Sequence, residues 1–282
     1  VFWVNNSTVL AKGGVGGSDG NDGSYRKPLS TIDAAIGKCR AGRGDIIMVM
    51  PGHVETIVAA TEIVPDVDGV AIVGLGSGND RPTIKFNHAN ATITVTGANV
   101  AFYNLLFLST ITAVAVGITT GAFTSVVNCE FNWEATGDDF VQMINNDGAN
   151  SADGTQIIDN KFIAEDTAGC NEAIRQDIAP DTVIRGNYFY GDFTRACVKS
   201  EGAATVNLFI EKNFLYNSDV TAGFGFDLDV ADKGLLADNL CGTLFTTAPE
   251  TTLDPGSLLC NRNYVANAID ESGTIVPQTI ST

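Results

Sequence analysis

The sequence contains the stretch Ile157-Ile-Asp-Asn160-Lys-Phe162, which returns 27 residues later as Val183-Ile-Arg-Gly-Asn187-Tyr-Phe189. In both stretches two apolar residues precede an Asn, and an aromatic residue follows within two positions. Related stretches, with an aromatic or apolar residue after the Asn, give Asn spacings of 24, 32, 27, 26, 26 and 24 residues. The residues that define the pattern are Asn104, Asn128, Asn160, Asn187, Asn213, Asn239 and Asn263.

This period predicts a solenoid, in which each unit supplies short strands and stacking of neighbouring units buries their inward faces. Leucine-rich repeats share the period, but their characteristic pattern is absent and no unit contains a helix. An earlier unit at Val70–Leu75, with Gly74 in place of Asn, brings the expected number of rungs to about eight. The sequence therefore predicts an all-β fold.

The recurring Asn predicts a turn in which the side chain caps backbone groups and tolerates left-handed geometry, so that the residues stack as a ladder. The alternative is that each Asn marks an ordinary turn. The repetition of two apolar residues before it favours the ladder.

The first sixty residues have a different character. Residues Leu29–Ile36 have apolar side chains at helical spacing, with Ser30 or Thr31 as the N-cap. A strand is expected at Asp45–Met50. Because the open end of a solenoid is an exposed sheet edge, the helix is expected to cover the first rung. We predict one domain, residues 1–282, with an N-terminal cap at 1–60, rungs at 61–265 and a tail at 266–282.

Composition narrows the range of partners. The chain has 16 Lys and Arg residues against 33 Asp and Glu residues, a formal net charge of −17. Such a surface is unsuited to nucleic acid or to anionic membranes, which require a positive face. No apolar run reaches the roughly 18 residues of a membrane-spanning helix. Neither nucleic acid nor a membrane is therefore expected as a partner.

The six cysteines show neither a Cys-x-x-Cys motif nor a pairing with the two histidines, so we expect no metal site and no cofactor. Buried free thiols are favoured over disulfides. Cys170 and Cys197 each lie ten residues after an Asn of the repeat, so they are expected to be neighbours on adjacent rungs. They could form a bridge or an interior thiol stack.

A resemblance extends the prediction. Residues Ser18–Ile36, with Ser18-Asp-Gly-Asn-Asp-Gly at the start, and residues Gly44–Glu55, with Pro51-Gly-His53, resemble the N-terminal segment of pectate-lyase-like proteins. The resemblance implies a right-handed, single-stranded parallel β-helix. The same segment is similar to that of many bacteriophage virion proteins, including tailspikes. That family contains lyases, hydrolases, epimerases and inert structural members, so fold alone does not imply activity.

Three carboxylates are the candidates for catalysis. Gly137-Asp138-Asp139 is similar to a motif of polygalacturonase-type glycosidases, but the further Asp, the Gly-His-Gly and the basic triplet of that family are missing. Asp227 and Asp229 are expected on one outer strand face about 7 Å apart, since alternation would send residues 224, 226, 228 and 230 inward. Such a pair could act as acid and base or hold Ca²⁺. His53 could be a general base, but a structural role in its turn is favoured.

A second set of residues is a candidate for glycan binding. Arg175, Asp177, Lys199 and Glu201 are expected at corresponding outer positions of neighbouring rungs, beside Asp227. The alternative is a solvated sheet face with favourable pairs between rungs.

We predict a structural, non-catalytic protein on the virion surface of a tailed bacteriophage, either a capsid decoration or a short spike. The virion setting is implied by the resemblance. A homotrimer in contact with other virion proteins, and in contact with a surface glycan, is expected. The alternatives are a glycoside hydrolase or polysaccharide lyase, and a glycan-binding adhesin.

Overall fold

The computed structural model describes residues 1–7, 13–147, 152–167, 169–202, 204–221, 223–244, 253–266 and, as backbone alone, 274–276. From β4 to β24 each turn of the chain adds one strand to each of three sheets, and successive turns pair in parallel. The predicted all-β parallel β-helix is confirmed. Within the described ranges no helix is long and apolar enough to span a membrane.

The strands of the described residues form sheets of ten, ten and seven members. The first sheet contains β1 (Phe2–Val4), β2 (Ile46–Val49), β4 (Ala71–Gly74), β7 (Ala101–Tyr103), β10 (Ser125–Val127), β13 (Gln156–Ile158), β16 (Val183–Arg185), β19 (Leu208–Glu211), β22 (Gly234–Ala237) and β25 (Leu259–Asn261). The second contains β3 (Val54–Ile57), β5 (Thr83–Phe86), β8 (Leu106–Ser109), β11 (Glu130–Trp133), β14 (Lys161–Ile163), β17 (Tyr188–Gly191), β20 (Phe214–Asn217), β23 (Leu240–Thr243), β26 (Asn263–Ala266) and the antiparallel β27 (Thr274–Val276). The third contains β6 (Ile93–Thr94), β9 (Val114–Thr119), β12 (Phe140–Asp147), β15 (Cys170–Asp177), β18 (Phe193–Ser200), β21 (Phe224–Asp227) and β24 (Leu253–Asp254).

The core consists of inward columns with one residue per rung. In the second sheet Phe107, Phe131, Phe162 and Phe189 follow one another in direct register. Their ring centroids are 4.8, 5.1 and 4.8 Å apart, and all four side chains are fully buried. These spacings match the separation of paired strands, so backbone pairing and ring stacking reinforce each other.

An asparagine ladder runs through the turn between the first and second sheets. The Asn160 amide donates to Asn187 Oδ1 at 3.1 Å and to the carbonyl of Val126 at 2.8 Å. The backbone N–H of Asn160 also donates to Asn187 Oδ1, at 2.9 Å. The same arrangement repeats through Asn187, Asn213 and Asn239 to Asn263. The ladder thereby satisfies buried backbone groups at each turn.

Asn104 and Asn128 lie outside this ladder, contrary to the expectation from the repeat. In their rungs the ladder position falls one residue later, at Leu105 and Cys129, and the Cys129 N–H donates to Asn160 Oδ1 at 2.8 Å. Asn104 and Asn128 instead occupy a preceding left-handed position, with φ of 54° and 52°. Each turn therefore has two positions that favour Asn for different reasons. The left-handed position of the later rungs is held by Asp159, Gly186, Lys212, Asp238 and Arg262.

The predicted N-terminal helix is confirmed as α1 (Ile32–Ile36), which is shorter than the sequence pattern indicated. Thr31 is its N-cap, and the Thr31 hydroxyl accepts a hydrogen bond from the Ala34 N–H at 3.2 Å. Leu29 does not join the helix because its carbonyl accepts from the Asn5 N–H, in a bridge beside β1. The helix buries Ile32 and Ile36 against the first rung.

His53 and Glu55 join three segments of the cap. His53 is fully buried, and its Nδ1 accepts from the Asn6 N–H at 3.1 Å. Its Nε2 lies 3.1 Å from Glu55 Oε2, which also accepts the Ile32 N–H at 3.0 Å. His53 therefore has a structural role, holding the N-terminal strand, the helix start and β3 together.

The six cysteines are free and buried. Cys170 lies opposite Phe193, and the register shifts between Cys170 and Glu172. The pairs Glu172–Ala196 and Ile174–Val198 place Cys197 opposite Ala173, and not opposite Cys170. The equal spacing from the repeat Asn did not bring the two thiols into register, because the turn between β14 and β15 is longer than the turn between β17 and β18.

We expect Asn213→Ala to destabilise the protein by about 2–3 kcal/mol, because it leaves buried backbone and amide groups without partners. The measurement is the midpoint of urea unfolding, followed by circular dichroism. Asn128→Gly is the matched control, since Asn128 is exposed and its left-handed backbone suits glycine. Equal shifts in the two variants would contradict a stabilising ladder.

Candidate functional site

The longest strands of the molecule present a column of polar side chains on the outer face of the third sheet. Strands β12, β15 and β18 each have eight residues. Their alternation sends Ile144, Ile174 and Val198 inward. The next residue of each strand faces outward, in an outer column that reads Asn145, Arg175, Lys199, Asp227 and Asp254.

The sequence-predicted residues Arg175, Asp177 and Lys199 lie together in this region. Arg175 Nε donates to Asp177 Oδ2 at 2.6 Å, and Arg175 Nη2 lies 3.6 Å from Glu201 Oε2. Lys199 forms an ion pair with Asp227 of the next rung, and its Nζ lies 3.7 Å from Glu201 Oε1. Each cation is therefore held by carboxylates on its own or a neighbouring rung.

Arg195 and Glu172 complete the cluster and were missed in the sequence. Arg195 forms an ion pair with Glu201, and its Nη1 lies 3.5 Å from Glu172 Oε1. Glu172 is fully buried and also accepts from Gln142 Nε2 at 2.8 Å. The register of β15 against β18 shifts between Cys170 and Glu172, directly beside this contact. We call the cluster the charged platform: Glu172, Arg175, Asp177, Arg195, Lys199, Glu201 and Asp227.

The platform carries three cations against four carboxylates. Burial raises the pKa of Asp177, and the hydrogen bond from Arg175 opposes this rise. The same hydrogen bond raises the pKa of the Arg175 guanidinium. The charges are thus largely neutralised within the platform, and its cations are already paired before any anionic ligand arrives.

Asp229 is not part of the platform. Strand β21 ends at Asp227, and the Asp229 carboxylate accepts the Ala231 N–H at 2.8 Å in the following turn. Its own N–H donates to Ser200 Oγ at 2.7 Å. The expected inward alternation holds for residues 226 and 228 but is wrong for Val230, which is 75% exposed, because the turn ends the pleat.

Asp139 lies at the turn that precedes β12 and is buried, with 1% of its surface exposed. Its Oδ2 accepts the Glu165 N–H at 2.8 Å, and its Oδ1 accepts the Phe140 N–H at 2.7 Å. Burial raises the pKa of Asp139 to about 7 despite these hydrogen bonds, and the charges of Glu165 and Asp192 add to the rise. The three sequence-predicted carboxylates are therefore not assembled into one site.

Asp139 belongs to an acidic stack in the turns between the second and third sheets. Burial, together with the charges of Asp219, Asp166 and Glu165, raises the pKa of Asp192 to about 6. Like charges on successive rungs, shielded from water, favour the protonated form. In the part of the chain that the structure describes, no group of three or more His, Cys, Asp or Glu residues is placed to hold a metal ion.

Neither a protein-family model nor a curated protein matches the chain. Solved structures that are similar to it include two lyases. One is a rhamnogalacturonan lyase, with 11% identity, a TM-score of 0.48, and coverage of 93% of this chain and 73% of the lyase. The other is the pectate lyase Pel9A, with 10% identity, a TM-score of 0.49, and coverage of 93% and 74% respectively. At these identities the likeness concerns the fold alone.

Asp139 makes the stability of the protein depend on pH. Its folded pKa of about 7 lies above the reference value of 3.8, so the folded state favours the protonated acid. The contribution of Asp139 to stability is therefore fully present below about pH 4 and is lost as the pH rises between about 4 and 7, by at most about 4 kcal/mol. We expect Asp139→Asn to flatten this part of the profile in urea unfolding measured at a series of pH values.

The neighbouring Asp138→Asn is the matched control, because Asp138 is half-buried in the same turn and its carboxylate accepts only the Ala135 N–H among the hydrogen bonds of the described residues. If stability fell as steeply with pH in the Asp139→Asn variant as in the Asp138→Asn variant, the attribution of this pH dependence to Asp139 would be contradicted.

Proposed function

We propose that the protein is a structural, non-catalytic β-helix on the surface of a bacteriophage virion. The observation that carries the non-catalytic part is the pairing of the charged platform. Lys199 is held by Asp227, Arg175 by Asp177, and Arg195 by Glu201. A lyase acting on uronates needs cationic groups free to stabilise an enolate, and a glycosidase needs two carboxyl groups aimed at one bond.

The positions of the three candidate carboxylates support the same proposal. Asp139 is buried beneath its turn, Asp229 closes a turn of the backbone, and Asp227 forms an ion pair with Lys199. Each of them already stabilises the fold. Their loss is expected to affect stability more than any chemistry.

The virion setting rests on the resemblance of the N-terminal residues to those of phage structural proteins. A rod whose backbone is paired from rung to rung suits a part that must withstand the outside of a particle. We propose a capsid decoration or a short spike, trimeric, in contact with other virion proteins.

A polysaccharide-cleaving enzyme is the second candidate, and one observation favours it. Lys199 and Asp227 are in contact on an outward face, and a Lys–carboxylate couple on such a face could transfer a proton to or from a bound sugar. In this case the substrate would lie along the platform.

We expect the purified protein to leave polysaccharides intact, because the platform's cations are already neutralised. The test is incubation with polygalacturonate, rhamnogalacturonan and bacterial capsular polysaccharide, followed by assay of new reducing ends and of unsaturated uronate. Chain cleavage that disappears in Asp227→Asn and persists in Asp254→Asn would contradict the proposal. Asp254 is the matched control because it is the register partner of Asp227 on the next rung. Retention of a polysaccharide without cleavage would indicate a glycan-binding rod.

A trimer is expected in solution, because one short rod offers a narrow base for attachment to a particle. Sedimentation equilibrium of the intact chain should give three times the monomer mass, unchanged on dilution. A monomer mass over the whole concentration range would contradict the trimeric spike.

A further inference from the structure

The outer face of the second sheet changes character at β17. From this strand to β26 one outer column reads Tyr188, Phe214, Leu240 and Tyr264, and a second reads Tyr190, Tyr216, Gly242 and Ala266. None of these eight residues is charged. Tyr190 and Tyr264 are 45% and 47% exposed, so the face is open to solvent.

The aromatic residues of this face stack along the rod. The rings of Tyr188 and Phe214 have centroids 5.2 Å apart and an interplanar angle of 3°. The rings of Tyr190 and Tyr216 lie 5.4 Å apart, at 19°. Each ring therefore covers one face of the next, at close to the spacing of the rungs.

The second aromatic column is interrupted at Gly242. A β-carbon placed there would lie 3.4 Å from Tyr216 Cδ2, so the next rung supplies no side chain to cover the second face of the Tyr216 ring. An open cleft of about 270 Å³ begins at this point. Its walls and floor include Phe214, Tyr216, Leu240, Gly242, Tyr264 and Ala266.

We propose that this cleft binds one pyranose ring of a glycan, with a C–H face of the sugar against the free face of Tyr216. The sugar would take the place of the next ring in the column. A pyranose has an apolar face and a polar rim, and the cleft has the complementary arrangement. The floor is apolar, and within the described residues no hydrogen bond engages the hydroxyl of Tyr216 or Tyr264. These hydroxyls are available to the hydroxyl groups of the sugar.

The size of the surface favours a small ligand over a second copy of the chain. Four rungs and two columns give a footprint of about 14 by 7 Å. A stable protein interface needs roughly 800 Å² from each partner. The cleft volume of about 270 Å³ lies just below the range of roughly 300–1,000 Å³ typical of sites for drug-sized ligands, and it suits a single ring.

This site is separate from the charged platform, which lies on the third sheet. It does not depend on the proposed virion role, because the stacking surface is complete within one chain. The glycan would be held without being cleaved, since no titratable carboxyl or amine lines the cleft.

The test uses methyl β-D-glucopyranoside, methyl β-D-galactopyranoside and methyl α-D-mannopyranoside with the intact chain, observed by saturation-transfer NMR. We expect transfer to the ring protons of one sugar face from at least one probe, with a Kd on the order of 1–10 mM. Gly242→Leu should weaken binding at least tenfold, because the leucine fills the cleft. Gly242 has no left-handed backbone that would exclude a side chain. Tyr216→Leu should have the same effect by removing the stacking face.

Phe209→Leu is the matched control. Phe209 is 43% exposed on the first sheet, away from the cleft, and its replacement should leave binding unchanged. Circular dichroism would verify that all variants are folded. Absence of transfer from all three probes, or equal transfer in wild type and in Gly242→Leu, would overturn the proposal. A change in oligomeric mass in Gly242→Leu without sugar binding by the wild type would assign the cleft to a second copy instead.

Discussion

The one-to-one register between successive rungs is the constraint on which the rest of the structure depends. Parallel backbone pairing sets the rung spacing, and the Asn ladder repeats that register inside the turn by linking each amide to the next. Phe107 to Phe189 fill the core at the same interval. Because backbone, amide and ring stacking share one period, a change in any rung propagates to its neighbours.

The same register organises the outer surface into columns, and this has electrostatic consequences. Side chains one rung apart are close enough to pair, so Lys199 meets Asp227 and Arg195 meets Glu201. Where successive rungs repeat an acid, as in the turns that contain Asp139, Glu165 and Asp192, burial and like charge raise the pKa of Asp139 and Asp192 instead. The acids of this chain, whose net charge is −17, therefore include both carboxylates paired with cations on a sheet face and buried acids of raised pKa in the turns.

The aromatic residues move from the inside of the second sheet to its outside along the rod. The inward column holds Phe up to Phe189 and then continues with Leu215, Cys241 and Val265. In that part of the rod the outer face acquires the stacked tyrosines. The cations of the charged platform are already paired with carboxylates, whereas the aromatic face ends in an open cleft. The two faces consequently differ in what binding requires. A charged ligand on the platform must break an existing ion pair, whereas a ligand in the cleft of the aromatic face breaks none.

The sequence by itself determined the all-β solenoid, the capping helix with Thr31 as a possible N-cap, and the outward placement of Arg175 and Lys199. These follow from period and alternation, which are local properties of the chain. Only the tertiary structure decided the features that depend on contacts between rungs. An Asn at a left-handed turn position and an Asn in the ladder look alike in the sequence, but their neighbours on the next rung differ. The contact between Arg195 and Glu172, and the gap beside Tyr216 at Gly242, likewise arise between residues more than twenty positions apart, where spacing alone does not reveal register.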